Sequence, residues 1–375
     1  MSFLNIKAKS GLSKICSFIF IFLYISLLLI YPQYSYDGIL QGLNLCFNTV
    51  IPSLFPFIVL SVFISKSGVF RYIEKIFAPF MKYLFKLPSC CFIAIFMGIT
   101  GGYPTGAKTV AELYKNNEIN ASQANLAAII CLSCGPGFAV SAVGIKMLDN
   151  KSVGLILFFS QIIAFFISGI LFSFFQKYSP NKKIKNHTPA KLSDCFIQSC
   201  SSSLYSVLHM SSLILIFSCF ISIITQSGFL QLFCDLFQGL NINPNILKSS
   251  IISCLEITSG CNIACCLGVP LELISFFLGF GGLCVHFQIF SILPVHIKKL
   301  KFILYRLFFS LICFFSTHIL LKIFPYDKPV FFNTSHKLYI IQPNTDVNIV
   351  FILFMCVVFI FSVDSIFIKY KKSRN

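Results

Sequence analysis

Charge is scarce in this chain, and acid is scarcest. Among 375 residues there are 12 Asp and Glu against 29 Lys and Arg, and charged residues make up only 11% of the whole. A soluble domain of this length cannot cover its surface with so few charges. With 57% hydrophobic residues and a mean hydropathy of +0.85, the chain reads as a polytopic helical membrane protein. Long apolar runs, rather than ten-residue alternating strands, exclude the other spanning solution, a closed barrel. Trp is absent and Phe abundant, which reflects residue usage and carries no functional reading.

Other absences narrow the function. No HExxH, GxSxG or other nucleophile–base constellation is present, so the chain is not read as an enzyme and no cofactor is implied. The net charge of +17 lies beside apolar segments, the ordinary pattern of cytoplasmic membrane loops, and not in a nucleic-acid patch. The 17 cysteines fall mostly inside apolar runs ("PSCCFIA", "NIACCLG") and read as small filler rather than a disulfide framework. "CLSC", Cys131 to Cys134, has metal-ligand spacing but no second pair, and no metal site is assigned.

Eight apolar runs are long enough to span: 15–31, 43–65, 121–147, 152–176, 195–225, 270–295, 302–324 and 349–368. The first follows a basic start and lacks a cleavage site, so it is read as an uncleaved helix. Two further segments, 88–115 and 246–269, are apolar but broken by glycine-rich turns, and are read as re-entrant hairpins. With the N-terminus inside, predicted cytoplasmic segments hold 22 Lys and Arg, Arg306 among them, against five outside. Both termini are thereby placed in the cytoplasm.

The two hairpins recur in matching contexts. "VLSVFISKSGVF" precedes the first and "IFSCFISIITQSGFL" the second. The turns read "GITGGYP" and "EITSGCN", and glycine-broken segments "CLSCGPGFAVSAVG" and "FLGFGGLCVHFQ" follow. Three crossings separate the units, so the second is inverted, the arrangement of secondary transporters with broken helices. The expected organisation is an N-terminal helix and outer loop (1–42), a first repeat (43–176), a basic linker (177–194), a second repeat (195–324), an outer loop (325–348) and a C-terminal helix with a basic tail (349–375).

"MGITGGYPTGAKTVAEL" imitates a phosphate loop. Gly101 to Gly106 fit Walker A, but Ala107 intervenes before Lys108 and Pro104 removes a donor the cradle needs. The same residues suit a hairpin tip, with glycines for reversal and Thr105 or Thr100 capping the helix that restarts near Ala107. Its N-terminus, with Lys108 in the first turns, suits a carboxylate. The candidate substrate-binding set is Gly101, Gly102, Tyr103, Pro104, Thr105, Gly106, Lys108, Ser133, Thr258, Ser259 and Asn262. Lys108 either serves substrate or neutralises Glu112. Glu256, placed at the negative end of its incoming limb, is read either as a coupling site for a proton or sodium ion or as an ion pair with Lys108. His286, beside Gln288, is weighed as a relay against a satisfied core histidine.

At "PSLFPF" (52–57), "GITGGYPTGAKTVAEL" and "CLSCGPGF" the sequence resembles the YlbJ-type sporulation integral membrane proteins, within the Gate, or nucleoside-recognition, superfamily. Gly102, Tyr103, Pro104, Gly106, Ala107 and Lys108 all match that family's tip. Ser133 and Cys134 stand where the family usually carries Asn. The resemblance implies a role in spore formation, in the cell membrane or the outer forespore membrane, and movement of dipicolinic acid toward the spore. The superfamily name implies nucleosides instead. The expected protein is a secondary carrier of a small organic anion working in the lipid bilayer, with Tyr103 stacking on the substrate ring. A non-transporting scaffold for spore assembly is the rival.

Overall fold

Backbone buried in a bilayer has no water to bond, so each apolar segment must satisfy itself. The computed structural model describes residues 18–325, apart from 20, 68–69, 175–190, 238–242 and 294–298, and among the described residues it is helical with no strand. The predicted eighth span (349–368), the outer loop from residue 326 and most of the basic linker lie outside the described residues. Among the described residues five helical stretches are long and apolar enough to cross a membrane: Pro32–Lys66, Lys151–Ser173, Leu192–Gln226, Leu271–Ile292 and Lys299–Ile323.

One boundary differs from expectation. Residues 32–42, read as an outer loop because "PQYSYDG" interrupts the apolar run, are helical: α2 (Pro32–Leu45) continues through a π-helical turn (Cys46–Val50) into α3 (Ile51–Lys66). Pro32 sits at the start of α2, where its missing N–H costs no helical bond. The polar residues follow helical geometry nonetheless.

The chain divides into two compact units. In the smaller, α1 (Ile21–Ile30) and the start of α2 meet the end of α9 (Leu192–Gln226) and α10 (Phe229–Leu236). Leu23, Leu27, Cys219 and Ile223 form its core, and Ser222 Oγ donates to the Tyr34 carbonyl at 2.8 Å.

The larger unit, 41–217 with 243–337, carries the rest. Along the chain, counting α10 of the smaller unit in sequence, the elements succeed one another in a repeated order. In the first half, α3 is followed by amphipathic α4 (Phe70–Leu84), a hairpin of α5 (Cys91–Gly101) and α6 (Tyr103–Lys115), a broken helix and long α8 (Lys151–Ser173). The broken helix is α7 (Ala121–Ile130), an unwound stretch, and the π-helix Gly137–Met147. In the second half, α9 and amphipathic α10 precede a hairpin of α11 (Pro244–Leu255) and α12 (Ile257–Cys266). Broken α13 (Leu271–Phe280) and α14 (Gly282–Ile292), then long α15 (Lys299–Ile323), complete it.

Packing repeats as well. α6 lies against α14, and α12 lies against the π-helix, so the returning limb of each hairpin meets the far half of the other unit's broken helix. α8 and α15 pack together, each also against its own unit's broken helix. Both hairpins close on residues without bulk. A Cβ at Gly106 would stand 2.5 Å from the Cys131 carbonyl oxygen and 2.9 Å from Gly98 Cα, and one at Gly260 2.3 Å from Ser253 Cα.

Breaking two helices inside the protein leaves two carbonyl ends to satisfy. Arg306 on α15 does this for both. Its guanidinium donates to Leu132 O just beyond α7 (2.8 Å), to Gly279 O, and to Phe280 O at the end of α13 (3.4 Å). Arg306 is 1% exposed. It is therefore no part of a cytoplasmic loop, as charge counting had placed it; its neighbours Lys299 and Lys301 lie at the start of α15, and one further turn and a half carries residue 306 inside.

Arg306→Leu should orphan these carbonyls, each costing about 1–3 kcal/mol. The expected result is a large fall in the thermal unfolding midpoint of the detergent-solubilised protein, with Arg306→Lys, which lacks the planar fork, intermediate; an unchanged midpoint would show that the carbonyls have other partners. Gly106→Val should likewise lower the midpoint by forcing α6 off Cys131, while the exposed substitution Ser201→Ala should not.

Candidate functional site

The two hairpin turns meet at one partly open cavity, about 460 Å³ when the space open to solvent is counted. The first tip contributes Gly101, Gly102, Tyr103 and Pro104, and the second Glu256, Ile257 and Thr258. Cys134 and Phe138 come from the first broken helix and Val285 and Gln288 from the second. Val50, Leu54, Met210 and Ile214 close it with apolar surface. An apolar chamber with a few convergent polar groups is the usual form of a small-molecule site.

Backbone sets the first tip. Gly102 has φ +85°, a conformation that side-chain-bearing residues rarely adopt. A Cβ there would also come within 3.3 Å of the Cys134 carbonyl oxygen. Gly135, at φ +70°, faces it, and its own Cβ would lie 3.0 Å from Gly102 N. Gly282, at φ +74°, plays the matching part at the second tip, where a Cβ would stand 2.7 Å from Ser253 O. Each hairpin tip thus rests backbone to backbone on a helix break.

The N-termini of the two returning limbs differ. No side chain caps α6: Gly102 is its N-cap. Thr105 does not cap it, contrary to expectation, because its hydroxyl donates to the carbonyls of Met97 (2.7 Å) and Gly102 (2.8 Å). Thr100 likewise bonds Ser61 and the Phe96 carbonyl. In the second hairpin, Glu256 is itself the N-cap of α12. Its Oε1 accepts from Thr258 N at 2.8 Å and its Oε2 from Ser259 N at 2.6 Å. Glu256 does end the incoming helix, as its C-cap, but its carboxylate turns onto the positive end of the outgoing one, where charge is favoured.

Tyr103 connects the first tip to the interior. Its hydroxyl donates to the Leu278 carbonyl, and the Arg306 guanidinium lies 5.4 Å from its ring centroid. That distance is within cation–π range, so the cation stands immediately behind an aromatic wall of the cavity.

Several predicted residues lie elsewhere. Lys108 is half-buried and directs Nζ to Ser202 Oγ of α9 at 2.8 Å. Among the described residues no carboxylate oxygen lies within ion-pair distance of it, so it pairs with neither Glu112 nor Glu256. Glu112 is exposed on α6. Gly106 belongs to the hairpin crossing and Thr105 to the hairpin's internal bonds. Ser133 is buried at the first break with its carbonyl oxygen facing Gly102, and its neighbour Cys134 provides the lining. Ser259 serves Glu256 through its N–H, and Asn262 is half-buried one turn along α12. His286 packs among Phe280, Phe290 and Phe302. Its Nε2 stands 2.9 Å from the Phe280 carbonyl while Nδ1 is buried without a partner among the described residues, and the lining falls to Val285 and Gln288. Met210, Ile214 and Arg306 gave no signal in the sequence, being embedded in apolar or basic runs.

Comparison with known proteins agrees with the motifs. Residues 47–151 match the family described as Gate, nucleoside recognition. The chain is 28% identical over 292 residues to the sporulation integral membrane protein YlbJ of Bacillus subtilis (strain 168), covering 70% of this chain and 71% of that protein. The likeness carried by the first hairpin tip and its flanking helices is therefore one to a Gate-type, YlbJ-like integral membrane protein of sporulation.

Proposed function

We propose that the protein is a secondary carrier, not an enzyme, that moves a small planar organic anion across the membrane, with dipicolinic acid as the leading substrate. The observation that carries this reading is the convergence of both hairpin tips on one cavity, with the uncapped N-terminus of α6 at its wall. Free N–H groups and a helix dipole favour a carboxylate there, and Arg306 behind Tyr103 adds positive potential. Glu256 neutralises the other helix N-terminus, so a substrate is oriented toward the first tip. Alternating access by rocking of the hairpins against α8 and α15 fits the repeated element order. Similarity to a sporulation membrane protein supports the cell membrane or outer forespore membrane as the location.

A second reading rests on a specific observation. Glu256, Thr258 and Gln288 line the cavity and Lys108 does not, which suits a neutral nucleoside hydrogen-bonded through its base or sugar.

Uptake of labelled dipicolinate and of a labelled nucleoside into proteoliposomes tests both. Met210→Trp, which fills the cavity from α9 without touching either tip, should cut substrate flux at least tenfold while insertion stays normal. Dipicolinate flux lost in this variant supports the anion carrier, and nucleoside flux lost in it supports the second reading. No flux of either solute by correctly inserted protein would leave the scaffold reading standing. Glu256→Gln keeps one capping oxygen and should remain folded; if Glu256 couples transport, the variant retains substrate counterflow but no longer responds to an imposed proton or sodium gradient.

A further inference from the structure

Lys108 is a cation held between two helices with no direct ion pair, its nearest acidic neighbour being Glu112 one turn along α6. Its Nζ reaches the neutral hydroxyl of Ser202 at 2.8 Å. A partly desolvated ammonium ordinarily finds a carboxylate, and one that does not marks a functional position. On the next residue of α9, Ser203 Oγ is buried with no hydrogen-bond partner among the described residues. Lys108 and Ser202 thus join a charge that has no direct ion pair to a hydroxyl that can rotate, with the unpartnered Ser203 Oγ on the adjoining face of the same turn.

The position of this pair is as informative as its chemistry. Lys108 lies five residues beyond Tyr103 on α6, roughly 7.5 Å from the tip along the axis, and Ser202 lies eight residues before Met210 on α9, roughly 12 Å away. Tyr103 and Met210 both line the cavity, so α6 and α9 each lead from Lys108 and Ser202 to it. In the other direction the same helices reach a basic mouth. Cys195 Sγ of α9 lies 3.6 Å from the Lys66 carbonyl, and Glu112 has Lys108, Lys66 and Lys115 as its cationic neighbours. Lys66, Lys108 and Lys115 thus gather around Glu112 there, with Asp194 next to Cys195 on α9.

We propose that Lys108 and Ser202 form an outer carboxylate site, a vestibule separate from the cavity, in which an organic anion docks before it reaches the hairpin tips. The site rests on the carrier reading above for its role, though not for its existence. The lysines at the mouth raise the local anion concentration, a contribution that salt screens. Lys108 exchanges Ser202 for the entering carboxylate, and the freed Ser202 hydroxyl donates to it. A nucleoside would gain nothing from this arrangement.

The test is the concentration and salt dependence of dipicolinate uptake in proteoliposomes, comparing wild type, Lys108→Gln and Lys108→Arg. Lys108→Gln is expected to raise KM about tenfold while kcat stays within about twofold, and to lose the rise of KM with salt that wild type shows. Lys108→Arg should restore both. An unchanged KM with unchanged salt dependence would overturn the vestibule. So would a complete loss of flux at every substrate concentration from normally inserted Lys108→Gln, since Lys108 would then act in translocation itself. If wild type carries no dipicolinate, the carrier reading fails on its own, and filter binding of labelled dipicolinate to the solubilised full chain decides the site. Salt-sensitive binding weakened about tenfold in Lys108→Gln would uphold it, whereas binding that is absent or indifferent to the substitution would reject it.

Discussion

The structure turns on a buried cation that has no carboxylate of its own. Two helices stop inside the protein, α7 after Ile130 and α13 after Phe280, and each leaves carbonyl oxygens pointing into an apolar interior. Orphaned carbonyls there cost too much to persist. Arg306 answers both ends at once because a planar guanidinium has five donors and can serve three acceptors from different directions. The helix C-termini in turn supply the negative potential that stabilises the charge. Neither half of the arrangement makes sense alone: broken helices need the cation, and the cation needs the breaks. The positions of both breaks are thereby tied to α15, and the Tyr103 ring beside the guanidinium ties the first hairpin tip to the same point.

From that constraint the cavity follows. Both tips abut the breaks through glycine, Gly102 on Gly135 and the Ser253–Ile257 backbone on Gly282, so their separation is fixed by main chain and not by the size of any side chain. What differs between the two tips is charge. α12 carries its own carboxylate as a cap, whereas α6 ends in glycine, tyrosine and proline with no side-chain acceptor. Two helices of related geometry thus present opposite faces to a ligand, one already neutralised and one open. This asymmetry gives an otherwise repeated scaffold a direction in which a polar molecule can lie.

The elements were legible where physics acts locally. Apolar runs of spanning length, glycine at the two tips, and the recurrence of hairpin, break and long helix are properties of short segments, and each could be read from its own residues. Gly102 is typical: a tight reversal needs positive φ, and only glycine supplies it cheaply. What failed was the direction of side chains. Lys108 looked like a tip residue, but five positions of α-helix turn it roughly 140° from Tyr103, onto Ser202. His286 and Gln288 looked equivalent, yet two positions along a helix point about 160° apart, and the histidine faces Phe280, Phe290 and Phe302. Glu256 ends α11 as read, but its second role as the N-cap of α12 was missed, because sequence does not say which way a turn residue's side chain folds. Arg306 was lost among neighbouring lysines that share its charge but not its depth.

The last of these errors has a cause that bears on function. Charge counting treats every basic residue as a surface group, and for most of this chain that is adequate. It fails for Arg306, which is held by backbone carbonyls inside the protein; Lys108, read as an intramembrane residue, is likewise held by a neutral oxygen, the Ser202 hydroxyl. The two differ in what those oxygens can give up. Arg306 is enclosed, its three acceptors are backbone carbonyls of both breaks, and releasing it would leave both without their donor. Lys108 is half-buried and its acceptor is a serine side chain that loses little by rotating away. The first cation is therefore part of the frame, and the second is available to a ligand. Together they place fixed positive charge behind the cavity and exchangeable positive charge on its approach, a gradient of commitment that an anion entering from the α6–α9 side would follow inward.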